Sequence, residues 1–153
     1  MEYSIRPAVR EDAEAVLRLS TEFGEWIQSL GGPIESRFDV EAYLRDGFGH
    51  DPAFSGLVAT SETELLGYIL YHGGYELDDA ARTLYLIDLY VREDARRLGV
   101  GRTLIGEAAN VCRALGGSQL YWSVYKVNPS AFEFYEKLGA TYIEDQKFMV
   151  LDI

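Results

Sequence analysis

The sequence has little cysteine, little proline and no long apolar run. Cys112 is the single cysteine, which excludes an internal disulfide and a cysteine-rich zinc site. We therefore expect the protein in a reducing compartment, the cytoplasm. Four prolines in 153 residues exclude a proline-rich, low-complexity chain. No uncharged apolar stretch approaches the roughly 20 residues that cross a bilayer, and the first residues lack the apolar core of a signal peptide. We therefore expect a packed protein with no membrane partner.

Positive charge is scarce in the first part of the chain. Residues 1–91 contain six arginines, no lysine and 17 acidic residues, whereas residues 92–153 contain eight basic and eight acidic residues. A formal net charge of −11 repels phosphates, so no nucleic-acid partner is expected. The acidic part is either an ordinary solvated surface or a field that gathers cationic amines.

Hydrophobic periodicity predicts one α+β domain spanning residues 1–153. The expected order is β-α-α-β-β-β-α-β-α-β-β, a mixed, mostly antiparallel twisted sheet flanked by helices. Leu84–Val91 is expected to be a central strand buried on both faces. The segment from Trp26 to Phe38 is expected to be a loop, and the tail from Tyr142 to Ile153 is expected to supply the last two strands.

A turn between a strand and a helix has the features of an anion site. It reads Arg96-Arg97-Leu98-Gly99-Val100-Gly101 and follows Leu84–Val91. A helix N-terminus presents unpaired N–H groups, glycine permits close approach of a ligand, and arginine adds charge-assisted hydrogen bonds. The chain has no Gly-Lys pair of the triphosphatase loop, and Leu104 stands where the dinucleotide fingerprint needs a third glycine. A solvated loop that caps a helix is the alternative.

Two motifs resemble one enzyme family. Arg96, Gly99 and Gly101 match Q/R-x-x-G-x-G/A, the acyl-coenzyme A loop of the GCN5-related N-acetyltransferases. NPSAFEFYEKLGA at 128–140 is similar to that family's Asn, Phe-Tyr and Leu-Gly-Ala segment. The resemblance extends to the diamine (spermidine/spermine) and thialysine acetyltransferases through three more stretches: IRPA at 5–8, DGFG at 46–49 and LYLIDLYV at 84–91.

The resemblance implies an α+β acetyltransferase fold, acetyl-CoA as co-substrate, no metal, and a homodimer. It implies transfer of an acetyl group to a primary amine of a small cationic metabolite, namely a diamine, a polyamine or a lysine-like amine. The cofactor-binding residues that it implies are Leu89, Tyr90, Val91, Arg96, Arg97, Leu98, Gly99, Val100, Gly101, Arg102 and Asn128.

The expected catalytic residues are Tyr135 and Asp88. A phenol beside the thioester sulfur can protonate the departing thiolate, and Asp88, through water, can accept the proton of the amine. A backbone N–H near Tyr90 or Val91 is expected to stabilise the developing oxyanion. The expected substrate-binding residues are Trp26, Glu76 and Asp88. The relatives' strand reads Leu-Tyr-Leu-Glu-Asp, so Ile87 replaces a carboxylate.

Two other functions agree with the same residues. A non-catalytic acyl-CoA-binding sensor or assembly module would keep the arginine turn and tolerate Ile87. A protein N-terminal or lysine acetyltransferase would need an open groove, which sequence cannot reveal. Tyr135 as a core aromatic and Asp88 as a polar group satisfied by amides are the non-functional alternatives.

Overall fold

The computed structural model describes residues 2–33 and 36–153. Within these ranges it contains five strands: β1 (Ser4–Pro7), β2 (Ser55–Thr60), β3 (Leu65–Glu76), β4 (Ala81–Val91) and β5 (Gly117–Tyr121). It also contains four α-helices: α1 (Ala13–Ser29), α2 (Val40–Phe48), α3 (Val100–Ala114) and α4 (Pro129–Lys137). The strands form one sheet in chain order, antiparallel except for the parallel pair β4–β5. The α+β prediction is confirmed.

Helix α1 is longer than the sequence pattern indicates. The loop expected from Trp26 onward is wrong for its first residues, because α1 continues to Ser29. The helix ends where Gly31 adopts a φ of +88°, which glycine tolerates and other residues rarely adopt. Trp26 is therefore held on a helix. None of the helices in the described ranges is long and apolar enough to cross a membrane.

The sheet separates two apolar clusters. The cluster on the α3 side contains Leu66, Ile69, Leu84 and Leu104 among its buried residues, together with the single cysteine. The cluster on the α1 and α2 side contains Val16, Leu19, Tyr43, Val58 and Tyr68. Each such side chain contributes about 1.5–3 kcal/mol when it leaves water. From Tyr68 to Tyr71, strand β3 alternates between the two clusters, as successive strand residues do.

Strand β4 is interrupted by a β-bulge at Ile87. Leu70 of β3 pairs with Asp88 and Tyr71 pairs with Leu86, so Ile87 has no partner on β3. Leu86 packs in the α3-side cluster, and beyond the bulge the parity is reversed, so Asp88 and Tyr90 face α1 and α2. Ile87 itself is 45% exposed. The expectation of a strand buried on both faces is therefore wrong at this position.

Strands β4 and β5 separate soon after they meet. Their ladder covers Arg82 to Tyr85 of β4, although β4 continues to Val91. Within the described ranges, the second half of β4 therefore has no strand beside it on that edge. A bulge bends a strand and increases its twist, and the bulge at Ile87 lies just beyond the last paired residue. The result is an open wedge in the sheet.

The two strands expected after α4 are not formed, and that prediction is wrong. Residues 140–153 form no helix or strand, and Phe148, Met149, Val150 and Leu151 are 82–96% exposed. A strand needs a neighbour for its backbone N–H and C=O groups, and residues 140–153 pair with none of the described strands, although β5 ends the sheet with an open edge. The order therefore stops at β-α-α-β-β-β-α-β-α.

Candidate active site

The wedge between β4 and β5 opens into a large cleft. Its volume is about 1210 Å³. The cleft is bounded by the second half of β4, the start of α3, one side of α4 and the C-terminal half of α1. It is large enough for an elongated ligand and a second, smaller one.

The start of α3 forms one end of the cleft. Gly99 adopts a φ of +86° and stands at the N-cap position of α3. The N–H of Thr103 donates to the carbonyl of Gly99 at 3.0 Å, which is the first bond of the helix. The N–H groups of the three residues between them have no acceptor within the helix. Unpaired amides at the positive end of a helix dipole favour an anion.

Gly101 is needed for the close packing of this turn. A Cβ built on Gly101 would lie 3.2 Å from the ring of Phe134 and 3.6 Å from a methyl of Val91. The first turn of α3 therefore lies directly against β4 and α4. A side chain larger than a methyl group at position 101 would crowd the ring of Phe134.

The arginines of the turn point in different directions. Arg97 and Arg102 line the cleft and are exposed, and neither has a carboxylate within 4.0 Å in the described ranges. They are placed to neutralise an anion. Arg92, by contrast, is held outside the cleft by Glu64 and Asp94.

Arg96 is turned toward α1. Its Nε donates to the carbonyl of Val91 at 3.0 Å. Its guanidinium lies over the ring of Trp26, 5.1 Å from the centroid, and over that of Tyr90 at 5.4 Å. Two cation–π contacts hold this charge against the aromatic wall of the cleft.

The exposed edge of β4 offers two sets of backbone groups. The N–H of Arg92 donates to the carbonyl of Leu66 on β3, and such groups alternate in direction along an antiparallel strand. The N–H and C=O of Val91 and Leu89 therefore point into the cleft, and those of Tyr90 point to β3. Of the two N–H groups considered for the oxyanion, that of Val91 faces the cleft.

Asp88 lies in the cleft beside a tyrosine that the sequence analysis missed. Its carboxylate accepts a hydrogen bond from the hydroxyl of Tyr68, whose side chain is fully buried. Burial raises the pKa of Asp88 to about 6, and the bonds from Tyr68 and from the backbone of Leu89 limit that rise. At neutral pH a carboxylate with this pKa accepts and returns a proton readily.

Tyr135 faces the cleft from α4. Its ring contacts those of Trp122 and Phe134, with centroids 4.8 and 5.1 Å away. Burial, and then the charge of Asp88, raise the pKa of Tyr135 to about 12. The phenol therefore keeps its proton at neutral pH and is close enough to Asp88 to sense its charge.

Asn128 positions Tyr135 by starting α4. Its Oδ1 accepts from the N–H of Ala131 at 3.1 Å, and Pro129 occupies the first turn of the helix. The side chain is 5% exposed and borders the cleft. An asparagine cap of this kind contributes about 1 kcal/mol to helix stability.

Most residues singled out from the sequence meet in this one cleft, and two do not. Leu98 is absent from its walls and is 45% exposed. Glu76 ends β3 beside Ala81, about 23 Å along β4 from Asp88 at ~3.3 Å per residue. There it accepts from the hydroxyl of Tyr121 at 3.4 Å.

Comparison with known proteins gives the family. Residues 18–140 match the model of the acetyltransferase (GNAT) family, and the chain belongs to that family, whose members use acetyl-CoA as co-substrate.

Two relatives and one solved structure show how far the similarity extends. Thialysine N-epsilon-acetyltransferase of Bos taurus is 34% identical over 144 residues, which are 89% of this chain and 82% of the relative. Spermidine N(1)-acetyltransferase of Thermoplasma acidophilum is 24% identical over 151 residues, 91% of this chain and 88% of the relative. An integron cassette protein from the mobile metagenome of V. cholerae shares the fold, with a TM-score of 0.81 at 22% identity over 99% of this chain and 93% of that one.

Proposed function

We propose that this single domain transfers the acetyl group of acetyl-CoA to the primary amine of a small metabolite. One observation carries the proposal: Asp88, with its raised pKa, and Tyr135, which keeps its proton, face the same point of a cleft that ends in an anion site. The acetylation of small amines by the thialysine and spermidine relatives supports the reaction class.

The cleft fits acetyl-CoA in chemistry and direction. The unpaired amides of Val100, Gly101 and Arg102, with the guanidinium of Arg97, would hold the pyrophosphate. The carbonyl of Leu89 would accept from an amide N–H of the pantetheine arm as in a short strand, and the N–H of Val91 stays available for the acetyl carbonyl. Bound there, acetyl-CoA supplies a thioester whose carbonyl carbon an amine can attack.

The residues of the chain then account for each proton. Asp88, directly or through water, accepts the proton of the incoming ammonium, which has a reference pKa near 10. The N–H of Val91 donates to the carbonyl oxygen as negative charge develops on it. The carbon–nitrogen bond forms, the carbon–sulfur bond breaks, and Tyr135 donates its proton to the sulfur. Tyr135 recovers a proton from the new amide nitrogen, and Asp88 releases one proton to solvent.

Release of free thiol in the presence of an amine panel tests the function. Wild type is expected to release CoA only when an amine acceptor is present, and Asp88→Asn and Tyr135→Phe are expected to slow that release while still binding acetyl-CoA. A non-catalytic acyl-CoA-binding module would bind acetyl-CoA and release no thiol. A protein acetyltransferase would use a peptide amine and ignore every free one.

We further propose that the chain forms a homodimer in the cytoplasm. The outer edge of β5 has no strand beside it in the described ranges, and the apolar tail from Phe148 to Ile153 is exposed. Unpaired edges and apolar tails of this kind are covered by partners, and a second copy offers both complements. Light scattering should give twice the monomer mass for the full chain, and removal of residues 147–153 should lower it. A monomeric full chain would refute this arrangement.

A further inference from the structure

The end of the cleft beyond Asp88 is walled by aromatic rings. Phe23 of α1 lies at the centre of one group, with its ring centroid 6.3 Å from that of Trp26 and 6.3 Å from that of Tyr125. Phe38 and Phe54 form a second pair at 6.0 Å. All five border the cleft. Because the amides at the start of α3 and the guanidinium groups of Arg97 and Arg102 suit acetyl-CoA, this aromatic wall is left for the acceptor amine.

Carboxylates that could bind additional ammonium groups are scarce in this region. Among the described residues that line the cleft, the acidic ones are Asp46, Asp88 and Glu133. Both carboxylate oxygens of Asp46 accept from Arg45, at 2.9 and 2.7 Å. Glu133 lies on α4 and not on α1, which carries Phe23 and Trp26. Among the described lining residues, Asp88 is then the carboxylate of β4 that remains for the acceptor, and it already accepts a hydrogen bond from Tyr68.

A positive charge is already present on the aromatic wall. The guanidinium of Arg96 occupies faces of Trp26 and Tyr90 that an ammonium group could otherwise use. A second ammonium on the acceptor would approach this fixed cation, and like charges repel. This wall therefore disfavours a second ammonium group, although the net charge of −11 attracts cations elsewhere on the surface.

We infer that the acceptor is a primary monoamine with an apolar, arylalkyl body. This inference rests on the proposed acetyl transfer and narrows its substrate class. The amine meets Asp88, and an aromatic ring two or three carbons away packs against Phe23 and its neighbours, where offset and edge contacts between rings are favourable. Diamines, polyamines and lysine-like amines bring further charged groups toward a wall that already carries the guanidinium of Arg96.

A matched panel of amines tests this substrate class. With acetyl-CoA saturating, kcat/KM is measured for 2-phenylethylamine, hexylamine, 1,4-diaminobutane, spermidine and lysine. We expect 2-phenylethylamine to exceed 1,4-diaminobutane by at least tenfold, with hexylamine between them. Equal or better use of 1,4-diaminobutane, spermidine or lysine would overturn the inference and leave acetyl transfer to amines standing. If no amine supports thiol release from a chain that binds acetyl-CoA, the proposed function fails, and the inference fails with it.

Three variants locate the selectivity. Phe23→Leu keeps an apolar side chain but removes the ring, so it should reduce the ratio of 2-phenylethylamine to hexylamine. Arg96→Gln removes the fixed cation and should raise the relative kcat/KM for 1,4-diaminobutane. Phe132→Leu, an aromatic change on α4 outside the cleft walls, serves as control and should leave both ratios unchanged. Unchanged ratios in the first two variants would contradict the assigned roles.

Discussion

The hydroxyl of Tyr68 donates a hydrogen bond to the carboxylate of Asp88, although the two residues are 20 positions apart on adjacent strands. Tyr68 pairs with Tyr90, and Asp88 pairs with Leu70, so the two side chains are diagonal neighbours on one face of the sheet. This bond connects the buried core of the α1 side to the reacting end of the cleft. The expected effects of pH and of Tyr68→Phe on activity depend on this bond.

The kcat of the wild type should rise with pH through an acid limb centred near 6. Burial raises the pKa of Asp88 to about 6, and below that value the protonated group cannot accept the amine's proton. Steady-state kcat at saturating substrates should fall about tenfold per pH unit below the limb. Asp88→Asn should lose ~10²–10⁴-fold in kcat and lose the limb. A limb that persists in Asp88→Asn would belong to another group.

The same substitution should stabilise the fold at neutral pH. The folded-state pKa of Asp88 is raised from 3.8 to about 6. Its favourable contribution to the free energy of unfolding is therefore complete below pH 3.8 and is lost as pH rises through about 6. Above that value the ionised group opposes folding, by an amount on the order of 1–3 kcal/mol. Urea unfolding at pH 8 should show Asp88→Asn as the more stable chain, and the difference should shrink toward pH 4.5. A wild type more stable at pH 8 would contradict the assigned pKa.

Tyr68→Phe should shift the acid limb to higher pH. The phenylalanine keeps the buried ring and removes the donor that lowers the pKa of Asp88. Activity at pH 7 should fall severalfold and recover by pH 9, while the KM for acetyl-CoA stays near wild type. Tyr71→Phe is the matched control, since Tyr71 faces the other cluster and should leave the limb in place. A uniform loss of kcat at all pH values would indicate a structural role for Tyr68.

Tyr135→Phe should lower the rate of thiol release by at least 100-fold in single-turnover measurements, the lower end of the ~10²–10⁴-fold typical of general acids. The melting temperature should stay near that of wild type, because the ring still packs against Trp122. Tyr142→Phe, which removes an exposed phenol bonded to Glu136, is the control and should be fully active. An undiminished single-turnover rate in Tyr135→Phe would exclude proton donation by this residue.

Two glycines of α3 should respond oppositely to a side chain. At Gly101 a Cβ lies 3.2 Å from the ring of Phe134, and a carboxylate there would repel an anion at the start of the helix, so Gly101→Asp should weaken acetyl-CoA binding at least tenfold in a calorimetric titration. At Gly106 a Cβ meets nothing within 4 Å. Gly106→Ala should therefore raise stability by about 0.5–1 kcal/mol through helix propensity and leave binding unchanged. Equal affinities in the two variants would move the anion site elsewhere.

Local pattern was enough to predict most of the fold and the turn that begins α3 at the border of the cleft. Helix α3 has an apolar stripe that includes Leu104 and Cys112, both buried as the spacing indicates. The turn from Arg96 to Gly101 can be recognised from its glycines and arginines alone, because the anion site proposed there depends on local backbone. Such features need no knowledge of distant residues.

Features that depend on register were not predictable in the same way. From the sequence alone, Tyr68 is expected to be a core residue, because it lies in an apolar strand. Its partner across the sheet becomes apparent only when the strand register is known. Glu76 follows the right kind of strand, but β3 is 12 residues long and carries it to the far end of the sheet. The expected tail strands failed for a related reason, since strand propensity alone does not form a strand, and residues 140–153 pair with no described strand.

The open wedge between β4 and β5 depends on the one extra residue of β4, Ile87. Deleting it would restore regular alternation in β4 without changing which side chains face either apolar cluster, since Leu86 and Asp88 would then be consecutive on opposite faces. The bend that accompanies the bulge would disappear, and β4 could continue its ladder with β5 past Tyr85. Such a chain would keep both apolar clusters but close the wedge between β4 and β5. Deleting this one residue would therefore leave the fold intact and remove catalytic activity.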